Sequence, residues 1–293
     1  MQWLMFMTRS VLAGVFACAI LAPANHAQTL AERTFPQAPQ GFDVRREGVA
    51  RGRVERVEYE STVTGNKRPA IVYMPPGYST RQRYPVLYLL HGLGANETVW
   101  TNDLAANVIL DNLIAGKKAL PMTIVMPNGR ASNAPVPERP AARENIAVES
   151  QAYRAFEREL LMDLIPFIES RYSVSRARDQ RALAGLSAGA GQSLNFGLAN
   201  LNTFAWIGGF SLAPNTLQPA QLVPDPAAAR RQLKLLWVSS GDQDEMGLNI
   251  GKGLHDYLVE RGVPHAWHID IGGGHEIPVW KNDLYHLSTL LFR

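Results

Sequence analysis

The sequence predicts an α/β fold: a mainly parallel central sheet with helices on both faces, preceded by an antiparallel hairpin. Three observations carry that prediction. Apolar runs of strand length, bounded by turn residues, alternate with segments of helical spacing, which is the pattern of a parallel sheet covered by helices. Most of these runs are continuously apolar rather than alternating, as strands buried on both faces require. Across 293 residues, 46% hydrophobic content is enough for one large core.

The elements follow in order. Arg53 to Thr62 ("RVERVEYEST") alternates, and Arg68 to Tyr78 ("RPAIVYMPPGY") follows a "TGNK" turn, so the two form the hairpin. Tyr84 to Gly92 ("YPVLYLLHG") and Met122 to Gly129 ("MTIVMPNG") are buried strands, and Asn107 to Lys118 between them has helical spacing. Arg154 to Tyr172 is an amphipathic helix with Phe156, Leu160, Leu164 and Ile168 on one face. "RALAG" is a strand and "AGAGQSLNFGLAN" a helix. Leu233 to Gly241, then Ala266 to Ile271, are the last strands. The segments "LNIGKGLHDYLVERG" and "VWKNDLYHLSTLLF" are the last helices. Asn128 to Asn145 is a long Pro- and Ala-rich loop, either a lid over a pocket or a surface insertion.

The ends of the chain read differently. Met1 to Ala27 has the layout of a signal peptide: Arg9, an apolar run from Val11 to Ala22 too short to span a bilayer, then small residues. Cleavage falls after Ala27, with Ala24 the alternative. Residues 28–48 are polar and proline-bearing and read as a leader or linker, leaving 49–293 as the folded domain. Formal charge is +3, or +2 once Arg9 is removed, and basic and acidic residues interleave. No basic block marks a nucleic-acid surface, and nothing after the signal segment marks a membrane anchor. The single cysteine, Cys18, lies in the signal segment, so the exported chain has no disulfide, thiol nucleophile or cysteine metal site.

Parallel sheets bind ligands at the carboxyl ends of their strands. One such end carries Gly185-Leu186-Ser187-Ala188-Gly189, a G-x-S-x-G pattern between a strand and a helix. That is the context of a nucleophile elbow in an α/β-hydrolase fold. The sharp turn brings positions two before and two after the serine close together, so both are glycine. The Ala188 N–H, at the start of the helix, faces a developing oxyanion.

A serine hydroxyl needs a base to take its proton. The α/β-hydrolase chain order is serine, acid, histidine. His275 follows three glycines directly after a strand, whereas His255 and His286 lie in helical patterns and His265 and His268 lie before or within a strand. His275 is the base. The acid follows the preceding strand in "SSGDQDEMG", where Asp242, Asp244 and Glu245 all qualify by spacing. "HGLG" (His91 to Gly94) follows an early strand and offers the Leu93 N–H as second oxyanion donor, with His91 structural. Trp100 and Trp280, each shortly after one of these loops, either wall the substrate pocket or pack in the core.

With these residues in place, the sequence resembles the carbohydrate esterases that include feruloyl and acetyl xylan esterases, in the esterase D-like branch of the α/β hydrolases. The likeness is closest to feruloyl esterase domains of bacterial xylanases and runs from about Gly41 to the C-terminus. "RPAIVYMPPGY", "YPVLYLLHGLGANETVW", "IVMPNG", "RALAGLSAGAGQS", "LAPNT", "SSGDQDE" and "GGGHEIPVW" carry it. The family's acid ends a G-x-x-D unit, which the resemblance places at Asp244. The family often reads G-L-S-M-G-G, where this chain has Ala188 and Ala190. That leaves the backbone donor in place and removes a bulky methionine beside the acyl group.

The resemblance implies a secreted serine esterase that needs no metal or organic cofactor and acts on feruloyl or acetyl esters of plant cell-wall polysaccharide. An acyltransferase to a sugar or other alcohol, or an esterase for a siderophore or polyester, would carry the same triad. A peptidase would need a further element to select peptides. A non-catalytic binding relative would have no use for Ser187, Asp244 and His275 together.

Overall fold

The computed structural model describes residues 35–293; the signal segment, with Cys18 and both cleavage positions, lies outside them. Eight strands form one sheet: β1 (Arg53–Glu60), β2 (Lys67–Met74), β3 (Val86–Leu90), β4 (Thr123–Pro127), β5 (Arg181–Leu186), β6 (Trp206–Phe210), β7 (Leu235–Gly241) and β8 (Ala266–Asp270). Their order is β1-β2-β4-β3-β5-β6-β7-β8. β1 pairs antiparallel with β2 and β2 with β4, while every other pair is parallel. This is the mainly parallel α/β-hydrolase sheet with its N-terminal hairpin.

The central strands show why the runs are continuously apolar. In β3, Val86, Tyr88 and Leu90 enter one core and Leu87 and Leu89 the other, a period of two with both faces buried. The helices divide accordingly. On one face lie α3 (Arg143–Glu159), α4 (Ile165–Arg171), α5 (Ala188–Ala199) and α8 (Glu245–Glu260). On the other lie α1 (Val99–Asn102), α2 (Ala106–Ala115) and α9 (Ile277–Leu290). Two short helices, α6 (Pro219–Leu222) and α7 (Pro226–Gln232), link β6 to β7.

Phe156, Leu160, Leu164 and Ile168 are all fully buried, as their spacing predicts. The helix differs from expectation in starting at Arg143 and in widening to a π-helical turn over Leu160–Leu164. Pro166 explains the widening, because it lacks an N–H and its ring crowds the carbonyl one turn back. At the junction, buried Glu159 accepts from Tyr59 (2.5 Å), Ser61 (2.6 Å) and Arg68 (3.0 Å).

Residues 35–46 are not a linker. Phe35 is buried with its ring 4.7 Å from that of Trp237. Ala38 donates to Asn282 Oδ1 (2.8 Å), and Asn112 Nδ2 donates to the carbonyls of Phe42 (2.8 Å) and Val44 (2.9 Å). Lys281 pairs with Asp43 at 2.9 Å. This strap closes the face that α2 and α9 leave open, so its polar, proline-bearing composition conceals a packing role.

Beneath the strap, His268 is buried among Phe35, Trp237 and His286. Burial, with the neighbouring His286, lowers its pKa to about 4. The unfolded chain takes up this proton near pH 6.5, so the stabilisation is complete above that pH and is lost as pH falls toward 4. It is worth about 3 kcal/mol at most. The thermal midpoint of the protein is therefore expected to drop between pH 6.5 and 4 more steeply than that of His268→Gln. Parallel curves would show that this histidine is not the titrating group.

Candidate active site

The elbow is built by steric exclusion. Ser187 has φ +53° and ψ −121°, a strained conformation for a residue with a side chain. Its N–H donates to the Phe210 carbonyl at 2.9 Å, which ties the turn to β6. A Cβ on Gly185 would lie 2.6 Å from the Gly189 carbonyl oxygen, as the turn requires. On Gly189 it would lie 2.5 Å from the His91 carbonyl and 2.7 Å from that of Leu90. The second glycine thus makes room for the end of β3 rather than for the first glycine. Gly191 is similarly closed in by the Asn215 side chain, whose Nδ2 donates to the Ala188 carbonyl at 2.8 Å.

Three sequence-predicted residues meet here. His275 Nε2 lies 2.9 Å from Ser187 Oγ, and its Nδ1 lies 2.8 Å from Asp244 Oδ2. Asp244 is buried, and its Oδ1 accepts from the Gly247 N–H at 3.0 Å, capping α8. Gly247 must be glycine, since a Cβ there would lie 2.4 Å from Asp244 Oδ2. With Asp244 ionised, the histidine proton sits on Nδ1 and a lone pair on Nε2 faces the serine hydroxyl. That arrangement can take a proton from Ser187 and return it to a leaving group.

The other two acids lie elsewhere. Asp242 Oδ1 accepts from the Gly272 N–H at 2.8 Å, and Glu245 is exposed on the first turn of α8. Asp242 N–H also reaches the Asp270 carbonyl (3.0 Å), and Gln243 N–H reaches that of Gly273 (2.8 Å). These bonds stitch the acid loop to the histidine loop and fix their spacing. Two of the three glycines before His275 serve this fit. Gly272 has φ +79°, and a Cβ on Gly273 would lie 2.4 Å from Val279.

Ala188 is the first residue of α5, where helix N–H groups have no partner within the helix. The "HGLG" loop lies beside the serine: a Cβ on Gly92 would be 3.1 Å from Ser187 Cβ and 3.6 Å from its Oγ. His91 is fully buried, and burial holds its pKa below the usual histidine value, so it is a neutral structural residue.

The two tryptophans part company. Trp280 is half-buried, its ring edge-on to His275 with centroids 5.1 Å apart, and so backs the imidazole. Trp100 does not wall a pocket. It is fully buried on α1 with its ring against Phe210, because the indole of this short helix turns into the core. The 128–142 loop is pinned by Arg130, whose guanidinium forks onto buried Glu149 (2.8–3.1 Å) and reaches the Ala134 carbonyl (2.7 Å). Its Pro140 packs on Gly94, in the loop that lies beside Ser187.

Sequence reasoning missed Tyr153 and Gln192. Tyr153 Oη donates to the Gly92 carbonyl at 3.2 Å, and Gln192 Nε2 donates to the carbonyls of Gly129 (2.8 Å) and Tyr153 (2.7 Å). Only a glutamine in an otherwise small, apolar helix start hinted at such a role. Among the described residues, no group of three His, Cys, Asp or Glu side chains is placed to hold a metal, and no helix is long and apolar enough to cross a membrane.

Comparison with known proteins adds to this geometry. The family model described as "Putative esterase" matches residues 61–287. An endo-1,4-beta-xylanase/feruloyl esterase of Xylanibacter ruminicola is 30% identical over 263 residues, covering 88% of this chain and 34% of that protein. Endo-1,4-beta-xylanase Y of Acetivibrio thermocellus is 30% identical over 149 residues, covering 47% of this chain and 12% of its own length. The chain thus spans about a third or less of these relatives. The ferulic acid esterase of Anaeromyces mucronatus superposes with a TM-score of 0.76 at 25% identity, covering 89% of this chain and 98% of that one.

Proposed function

Because this chain belongs to the Esterase family, we propose that it hydrolyses carboxylic esters by two-step acyl transfer through Ser187, His275 and Asp244. The observation that carries this reading is the unbroken hydrogen-bonded chain from Asp244 through His275 to Ser187. Ser187 Oγ attacks the ester carbonyl while His275 Nε2 takes its proton. The Ala188 and Leu93 N–H groups hold the tetrahedral oxyanion. Collapse expels the alcohol, which takes the proton from His275 and leaves an acyl-serine. Water, deprotonated by His275, then attacks the acyl carbon, and Ser187 leaves with the proton returned. Asp244 holds the Nδ1 tautomer throughout and offsets the imidazolium charge.

The substrate in this reading is a feruloyl or acetyl ester of plant cell-wall polysaccharide, met outside the cytoplasm after removal of residues 1–27. The named activity of the Xylanibacter relative supports the feruloyl choice, as does the Anaeromyces enzyme, also solved in complex with ferulic acid. So do Leu93, Met246 and Ile277, each an exposed apolar side chain within two residues of a functional position. Exposed large apolar groups beside each of these positions suit an aromatic acyl group better than acetate.

The protein lacking residues 1–27 is expected to hydrolyse methyl ferulate with a kcat/KM about tenfold or more above that for an aryl acetate. The reverse preference would replace the feruloyl assignment with the acetyl one. Failure to hydrolyse either would remove both.

A further inference from the structure

The Gly92 carbonyl is held by three donors. His91 Nδ1 lies 2.7 Å away, Tyr153 Oη 3.2 Å and the Ala95 N–H 3.3 Å. The tautomer of His91 follows from its partners. A carbonyl only accepts, so Nδ1 carries the proton. The Gly129 N–H donates to Nε2 at 3.0 Å, closer than Asn128 Oδ1 at 3.3 Å, which already accepts from the Arg130 N–H, so Nε2 carries the lone pair. The Gly92–Ala95 turn, with Gly94 at φ +78°, has the left-handed third residue of a type II turn. Within it, the Ala95 amide is spent on Gly92, and the Gly94 amide faces the Tyr153 hydroxyl oxygen. The Leu93 N–H has no acceptor among the described residues.

A trans peptide is planar, so its carbonyl and the following N–H point in opposite directions. Fixing the Gly92 carbonyl therefore fixes the Leu93 N–H. We propose that Tyr153 and His91 are positioning residues that lock the Gly92–Leu93 peptide with its N–H turned toward the oxyanion beside Ser187. The clamp is itself braced. Gln192 binds the Tyr153 and Gly129 carbonyls from α5, the helix that Ser187 starts. Arg68, paired with Glu159, donates to the carbonyls of Asn128 (2.8 Å) and Arg130 (2.7 Å), the residues on either side of Gly129. Nucleophile, oxyanion loop and the loop after β4 thus form one rigid unit. This inference rests on the reading of Ser187 as nucleophile and Leu93 as oxyanion donor.

The test is Tyr153→Phe, which removes one donor and keeps the ring. Its kcat for ester hydrolysis is expected to fall about tenfold or more, with KM within about twofold of the parent. The inhibition constant of an aryl boronic acid, whose serine adduct carries the tetrahedral oxyanion, should rise by the same factor as kcat falls. A purely structural role would not move kcat and boronate binding together while sparing KM. His91→Asn, which retains a donor near the Nδ1 position, should keep more of kcat than His91→Ala, and this comparison stands even if Tyr153→Phe folds poorly. Unchanged kcat and boronate affinity in Tyr153→Phe, or equal losses in the two His91 variants, would overturn the proposal. Full activity in Ser187→Ala would instead overturn the reading beneath it. An inactive Ser187→Ala beside an unaffected Tyr153→Phe would remove this inference alone.

Discussion

Alanine at position 187 is expected to lower kcat for ester hydrolysis by about 10,000-fold or more while the protein stays folded. The hydroxyl is the only group lost. Its backbone bond to Phe210 and the glycines around it are untouched, so the elbow persists. Alanine tolerates φ +53° no better than serine does, so the thermal midpoint should stay close to that of the parent. Residual rate above that in water would come from the oxyanion donors, which the substitution leaves in place. Because Ser187 and His275 act as a unit in the proposed reaction, Ser187→Ala with His275→Ala should be no slower than Ser187→Ala alone. Stoichiometric labelling by a fluorophosphonate should disappear in the same variant. Retained turnover or labelling would mean that another nucleophile does the chemistry.

The elbow was legible because its signal is local. Gly185, Ser187 and Gly189 lie within five residues between a strand and a helix, and the clashes that demand glycine there involve the neighbouring strand end. The buried strands were legible because two-faced burial forces unbroken apolar runs. β6 was not. Trp206–Phe210 contains Gly208 and Gly209, and two adjacent glycines weaken the apolar run that marks a strand. They are glycine because Cβ atoms there would press on Ala184, Leu287 and Leu212 from both faces. Tyr153 was invisible for another reason. Its partner Gly92 lies 61 residues away, and no periodicity encodes a single hydroxyl-to-carbonyl bond. Trp100 stayed open between pocket and core because closeness in sequence to a functional loop says nothing of which way an indole turns. The strap misled because composition averages over residues, while one phenylalanine, Phe35, makes the burial. Choosing among Asp242, Asp244 and Glu245 needed three-dimensional geometry or a family pattern, since a carboxylate's reach depends on burial and angle.

Asparagine at 244 is expected to cost about 10,000-fold in kcat, a loss far larger than a missing surface charge would cause. The reasoning starts at Gly247, whose N–H donates to Asp244 Oδ1 at 3.0 Å. A backbone N–H can only donate, so an asparagine must place its carbonyl oxygen there. Its amide group then falls at the Oδ2 position, 2.8 Å from His275 Nδ1. To accept from that amide, His275 must move its proton from Nδ1 to Nε2. The nitrogen facing Ser187 then carries a hydrogen and cannot take another. Turning the amide over offers no escape, because its NH2 group would then face the Gly247 N–H, donor against donor. The imidazolium also loses its counter-charge. Asp242→Asn is the matched control: its Oδ1 still accepts from the Gly272 N–H, so it should retain most of the rate. A slow Asp242→Asn beside a fast Asp244→Asn would transfer the acid's role to Asp242. With both variants fast, His275 would be acting without a carboxylate partner, and the hydrogen bond at 2.8 Å would be a packing contact rather than part of the chemistry.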